Sequence, residues 1–202
     1  MGKVRLFVAV ETPDVIRPAI RDLQATLRRS NADVRWESPE KFHVTVKFIG
    51  EQDAGLVQDM RDVLHEIALR FAPFTAEYAG VGCFPNRRHP KVIWVGVRDR
   101  GGILEQAYRE IETAMTRFGC ARDDREFHPH VTLGRVRGDT NMSSLLATME
   151  SVTFQCPPVL IDHIVLMKSD LTPAGSRYAI LSPFTFTAIA GTDQQAHDQQ
   201  TS

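Results

Sequence analysis

Residues 42–49, FHVTVKFI, and residues 130–136, HVTLGRV, carry the same His-x-Thr core, and each reads as a β-strand. On a strand, side chains at i and i+2 leave the same face. His43 therefore projects with Thr45, and His130 with Thr132, while Val44, Val46, Val131 and Leu133 turn toward an apolar interior. The two motifs stand 87 residues apart. The same shift lays Leu6, Phe7, Val8, Ala9 and Val10 on Ile93, Trp94, Val95, Gly96 and Val97. One shift that matches two separate strands, type for type, marks an internal duplication.

Working outward, Val4 to Val10 alternates as a half-buried strand. Ile16, Ile20, Leu23 and Leu27 follow at helical spacing, with Pro18 setting the helix start. Leu56 to Phe71 is an amphipathic helix, and Phe74 to Val81 a strand. The order then recurs: a strand from Lys91 to Val97, a helix from Leu104 to Phe118 closed by Gly119, and the second His strand. A short helix over Met142–Met149, a strand from Val159 to Leu166, and a last strand from Tyr178 to Phe186 bent at Pro183 complete it. This predicts one domain over 1–188, built as two β-α-β-α-β lobes from repeats at about 4–83 and 91–168. Residues 189–202 have little apolar content and are expected to be disordered.

Composition bounds the function. Of 202 residues, 43% are hydrophobic and 24% charged, ordinary for a folded soluble protein. Lys plus Arg number 24 against 25 acids, so no general basic field attracts nucleic acid, and such a substrate must be held locally, at an end or as a nucleotide. Three cysteines, Cys83, Cys120 and Cys156, form no CxxC and point to a reducing compartment. The start of the chain fits neither a signal peptide nor a myristoylation site, and no apolar run approaches the roughly 18–20 residues of a membrane span. The expectation is a cytoplasmic protein with no membrane association and no obligate protein partner.

Pairing the lobes about a pseudo-dyad sets two imidazoles and two hydroxyls across one cleft. That set suits a phosphodiester. Each threonine can donate to a non-bridging oxygen, and with intrinsic pKa values near ~6.5 one imidazole can be neutral while the other is protonated. The neutral one takes a proton from water as the other protonates the departing oxygen. A lone HxT on a strand usually means nothing; two copies at equivalent places in a duplicated fold carry the assignment. His128 with His130 offers a rival metal pair, but no third ligand stands at metal spacing and there is no HExxH, so no metal is assigned. No P-loop, GxSxG or strand-borne GxGxxG is present.

Further candidates for substrate binding are weaker. Lys47 falls on the catalytic face by parity, as a phosphate contact or a solvated lysine. Arg135 has the opposite parity from His130 and needs a bulge or strand end to reach the cleft. Arg5 can reach its mouth. Phe7 and Trp94, paired by the 87-residue shift, face the cleft beside Ala9 and Gly96, either to stack a base or to pack between lobes.

These residues resemble the 2H (two-histidine) phosphoesterase superfamily, in its RNA 2′,3′-cyclic phosphodiesterase branch, historically also called 2′-5′ RNA ligases. The resemblance runs from Arg5 to about Phe184: VRLFVAVETP, RWESPEKFHVTVKFIGE, CFPNRRHPKVIWVGV, REFHPHVTLGRVR and the closing LMKSDLTPAGSRYAIL. Val44 and Val46 stand where leucine is common, and Gly134 where alanine often sits. The resemblance implies a bilobal α+β fold with antiparallel sheets lining a central cleft, helices outside, and no cofactor. It implies opening of RNA 2′,3′-cyclic phosphate ends to 2′-phosphates, with His43 as proton donor, His130 as acceptor, and Thr45 and Thr132 holding phosphate. RNA ends or nucleotides bearing a cyclic phosphate are the expected partners. The alternatives are a 2′-5′ RNA ligase or small-nucleotide cyclic phosphodiesterase on the same motifs, and a non-catalytic nucleotide-binding module, which two intact motifs disfavour.

Overall fold

The period-2 alternation near the start of the chain becomes strand β1 (Lys3–Glu11) in the computed structural model, which describes residues 2–173 and 175–188. There follow α1 (Arg17–Arg28), β2 (Val34–Trp36), β3 (His43–Asp53), α2 (Val57–Ala68), β4 (Phe74–Phe84) and β5 (Val92–Arg98). The chain continues with α3 (Ile103–Met115), β6 (His130–Val136), α4 (Met142–Ser151), β7 (Val159–Ile161), β8 (His163–Thr172) and β9 (Gly175–Thr185). The expected tail over 189–202 lies outside the described residues. Helix α1 carries Pro18 in its first turn, where the missing N–H costs nothing. Gly119 takes φ 76° to end the turn after α3, a backbone state that favours glycine.

The fold is α+β, with every strand pair antiparallel along the order β7-β4-β5-β6-β3-β1-β8-β9 and β2 added on β6. The pseudo-symmetric halves meet at one bridge, Val44 opposite Val131, directly beside the two motif histidines. The halves are not the two sequence repeats laid side by side. β4, from the first repeat, pairs with β5 of the second, and β8, from the second, pairs with β1 of the first. Each half therefore contains strands of both repeats, which ties the cleft's two walls together.

Two expectations change. The single strand read over Val159–Leu166 is two strands broken at Asp162, and β2 is an addition. β7 and β8 belong to opposite ends of the strand order, yet only one residue separates them. Consecutive Cα atoms lie 3.8 Å apart, so the sheet must curl until those ends adjoin. One continuous core of buried aliphatics, including Leu6, Val8, Val44, Val46, Ile93, Val95, Val131 and Leu133, joins one sheet face to the helices. On the other face Phe7, Ala9, Val165 and Met167 form a small second cluster under Tyr178.

Candidate active site

The two motif histidines begin their strands in the same way. His43 Nδ1 lies 2.7 Å from the Lys41 carbonyl, and His130 Nδ1 lies 2.6 Å from the His128 carbonyl. A carbonyl only accepts, so each Nδ1 carries the hydrogen, and each Nε2 is left for the cleft. Both rings line one cavity of 1030 Å³, together with Thr45 and Thr132. Aromatic rings wall them in: Tyr178 stands edge-on to His43 at 5.3 Å and Phe7 lies at 5.1 Å, while Phe84 stands edge-on to His130 at 5.0 Å.

Burial in that enclosure disfavours charge on both rings. Burial pushes the His43 imidazole down to about 4, against the raising effect of its bond to Lys41, and the charges of His130 and Arg135 act in the same direction as burial. Burial likewise lowers His130, against the bond to His128. Among the described residues, no carboxylate is hydrogen-bonded to either ring. Glu11, the register partner of His43, instead places a carboxylate oxygen 3.3 Å from His163 Nε2. Both shifts favour the neutral imidazole, away from the even split expected from intrinsic values.

Bulges arrange the rest. β1 pairs Ala9 with Thr45 and Val8 with Lys47, leaving Val46 as the extra residue. β5 pairs Trp94 with Thr132 and Ile93 with Gly134, leaving Leu133 extra. A bulged residue reverses the parity that follows it. Arg135 thereby reaches the cavity wall, its Nε 3.8 Å from Glu37 Oε1. Lys47, placed on the catalytic face by strict alternation, is corrected by the same device: it is buried, its Nζ 2.6 Å from Glu112 Oε1 and donating to the Ala121 carbonyl at 2.7 Å. Lys47 still borders the cavity, but its ammonium is held by Glu112 and Ala121 rather than solvated. Phe48 takes its place on the cleft side, 60% exposed.

The partner strands are slipped by one pleat relative to the 87-residue alignment, since Thr45 faces Ala9 whereas Thr132 faces Trp94. Phe7 and Trp94 are consequently not structural equivalents. Phe7 is 3% exposed, its ring covered by His43 and Tyr178. Trp94 lies behind Phe84, at 5.1 Å, and against Gly82, and does not line the cavity. Phe7 thus lines the cavity as a buried ring, whereas Trp94 is half-buried outside its lining. Arg5 is exposed and lines the cavity. His128 borders it too, with its ring stacked 6.3 Å from Trp94 and its carbonyl holding His130. Sequence reasoning left out Tyr178 and Phe84. The signals were at hand in the segments GSRY and CFP, but strand periodicity alone does not say which strand end meets the cleft.

A family model described as the 2′-5′ RNA ligase superfamily matches residues 12–173. An RNA 2′,3′-cyclic phosphodiesterase of Methanothermobacter thermautotrophicus is 30% identical over 185 residues, covering 90% of this chain and 98% of the relative. One of Aeropyrum pernix is 32% identical over 160 residues, covering 79% of this chain and 90% of the relative. Among solved structures, E. coli LigT complexed with 3′-AMP matches with a TM-score of 0.69 at 26% identity, over 93% of this chain and all of that one. No helix among the described residues is long and apolar enough to cross a membrane.

Proposed function

Because this chain belongs to the 2′-5′ RNA ligase superfamily, we propose that it hydrolyses RNA 2′,3′-cyclic phosphate ends to 2′-phosphates by acid–base catalysis on His43 and His130. The observation that carries the mechanism is the matched pair of Nδ1–carbonyl bonds, which dedicates both Nε2 atoms to one cavity. The relatives named as RNA 2′,3′-cyclic phosphodiesterases support the reaction class.

A cyclic phosphate lies between the imidazoles, with the Thr45 and Thr132 hydroxyls donating to its non-bridging oxygens. Its negative charge favours an imidazolium that burial alone disfavours, so substrate binding stabilises the charge of the proton donor. Neutral His130 takes a proton from water at Nε2 as the water oxygen attacks phosphorus. The bond from phosphorus to the 3′ oxygen breaks, and that oxygen receives the Nε2 proton of His43. The product carries a 2′-phosphate and a 3′ hydroxyl, and proton exchange with solvent resets both rings. Arg135 and Arg5, on the same cavity wall, add positive potential for the anion. Three free, buried cysteines suit the reducing cytoplasm as the place of this reaction.

The test is the product of purified protein on RNA ending in a 2′,3′-cyclic phosphate, read by phosphorus NMR. A 2′-phosphate is expected. A 3′-phosphate reverses the leaving oxygen, and no opening of the ring ends the hydrolase reading.

A further inference from the structure

Beyond the histidines and threonines, the cavity lining includes an arm of aromatic and basic side chains, among them Phe48, Tyr108, Phe127, Arg5 and Arg125. The cavity's 1030 Å³ stands at the top of the range for pockets that hold one small ligand, roughly 300–1000 Å³. Phe48 lies one ring further out than Phe7, at 6.3 Å between centroids. A single exposed phenylalanine is ordinary on a protein surface. This one is turned outward by a bulge and lines the same cavity as a second aromatic surface, the Tyr108–Phe127 pair, whose rings stack at 4.3 Å and 4°.

That second surface is held in place. Phe127 sits on the segment entering the second histidine motif. Near its start, the segment is tied down by the bond from Lys47 to the Ala121 carbonyl and by the Asp123 amide donating to Glu112 at 3.2 Å. Arg125, on the same segment, is braced on Asp123 at 2.6 and 2.8 Å and lines the cavity, as Arg5 does. Aromatic surfaces interspersed with arginines are the chemistry of single-stranded nucleic acid, whose bases stack while its phosphates meet cations.

We propose that this arm is a subsite for the nucleotide preceding the cyclic-phosphate terminus, whose base stacks on Phe48, with the Tyr108–Phe127 pair closing the arm. The enzyme then selects oligonucleotide ends over free cyclic mononucleotides. The inference rests on the hydrolase reading above and adds the length of its substrate.

The experiment compares kcat/KM for a trinucleotide ending in a 2′,3′-cyclic phosphate with that for the matching nucleoside 2′,3′-cyclic monophosphate. Stacking on an aromatic ring is worth about 5- to 150-fold per base, and the wild type should prefer the trinucleotide by a factor in that range. Phe48→Ala should cut this preference toward one, chiefly through KM. Phe127→Ala should cut it less. Phe48 is 60% exposed, so its removal leaves the fold intact, as melting temperature will verify. Turnover of the mononucleotide with no preference for the trinucleotide overturns the subsite and leaves the hydrolase reading standing. So does an equal loss on both substrates in Phe48→Ala. Turnover of neither substrate by the wild type overturns the hydrolase reading and the subsite with it.

Discussion

Val46 and Leu133 are each the extra residue of a β-bulge, and each directly follows the threonine of its histidine motif. The two motif strands therefore share the bulge as well as the histidine and the threonine. Up to the threonine, alternation holds and both reactive side chains face the cleft. Past it parity reverses, bringing Phe48 into the cleft in one half and Arg135 in the other. The Leu133 carbonyl is satisfied twice, by the Glu37 amide at 2.8 Å and by the buried Gln24 amide at 2.9 Å. An irregular strand buried this deeply needs such partners to persist.

Alanine at His43 or His130 should remove hydrolysis without unfolding the protein, because both rings are half-buried on the cleft side rather than in the main core. Each loss should be at least roughly 10²–10⁴-fold in kcat, the usual contribution of a positioned acid or base. Thr45→Ala and Thr132→Ala should cost less, about 1.5–3 kcal/mol of transition-state binding for a hydrogen bond to a charged group. Steady-state kinetics beside circular dichroism checks this. A folded histidine variant with near-full turnover would refute the two-histidine mechanism.

Lys47→Met should be among the most damaging substitutions outside the catalytic set. It leaves the Glu112 carboxylate, 9% exposed, without its cation. Breaking a buried ion pair from one side costs roughly 3–5 kcal/mol, whereas replacing both partners by apolar residues is often neutral. Urea unfolding should show the loss in Lys47→Met and its recovery in the Lys47→Met, Glu112→Leu double variant. A single variant as stable as wild type would mean that the pair contributes nothing.

Gly82→Ala should disturb the wall behind His130. A Cβ there would lie 2.2 Å from the Trp94 ring, so the indole must move toward Phe84, which stands edge-on to His130. Overpacking of this kind costs about 1–3 kcal/mol, and here it should also lower kcat. Gly101→Ala is the control, since its nearest new contact, Ile103 Cγ1, is at an ordinary 3.5 Å. Equal melting temperatures and rates in the two variants would show that Trp94 has room to spare.

How far sequence carries is visible in these same residues. The motif strands and most elements follow from periodicity, because β3 and β6 alternate regularly up to the threonine of each motif. Lys47 was misplaced because period 2 assumes an unbulged ladder, and nothing in VKF announces the extra residue. Arg135 shows the converse: its wrong parity required a bulge, and Leu133 supplies one. β2, three residues long, has no period to detect. The exchange of β4 and β8 between halves is set by pairing at long range, which local pattern does not encode. Phe7 and Trp94 were aligned correctly in sequence but not in space, because the slip of one pleat preserves the face and changes the neighbour.

The pH dependence should expose the preference for neutral imidazoles that burial imposes. Burial lowers both histidines, His43 to about 4. The profile of kcat/KM reports the free enzyme, and that of kcat reports the complex. Reaction needs one ring protonated and one neutral, so the bell for kcat/KM should be centred below the intrinsic value of ~6.5. The bound phosphate anion raises both rings, and the bell for kcat should therefore lie at higher pH. Stability follows with a definite sign. The unfolded chain takes these protons first on acidification, near ~6.5, while folded His43 resists until about 4. The contribution is complete above ~6.5 and is lost as pH falls toward 4, and His43→Ala should flatten that part of the stability curve. Rates on a cyclic mononucleotide from pH 4 to 9, beside urea midpoints over the same range, test both halves of the argument. Coincident bells for kcat and kcat/KM, both centred above 7, would mean that the cleft holds its histidines charged and that the substrate does not supply the proton donor.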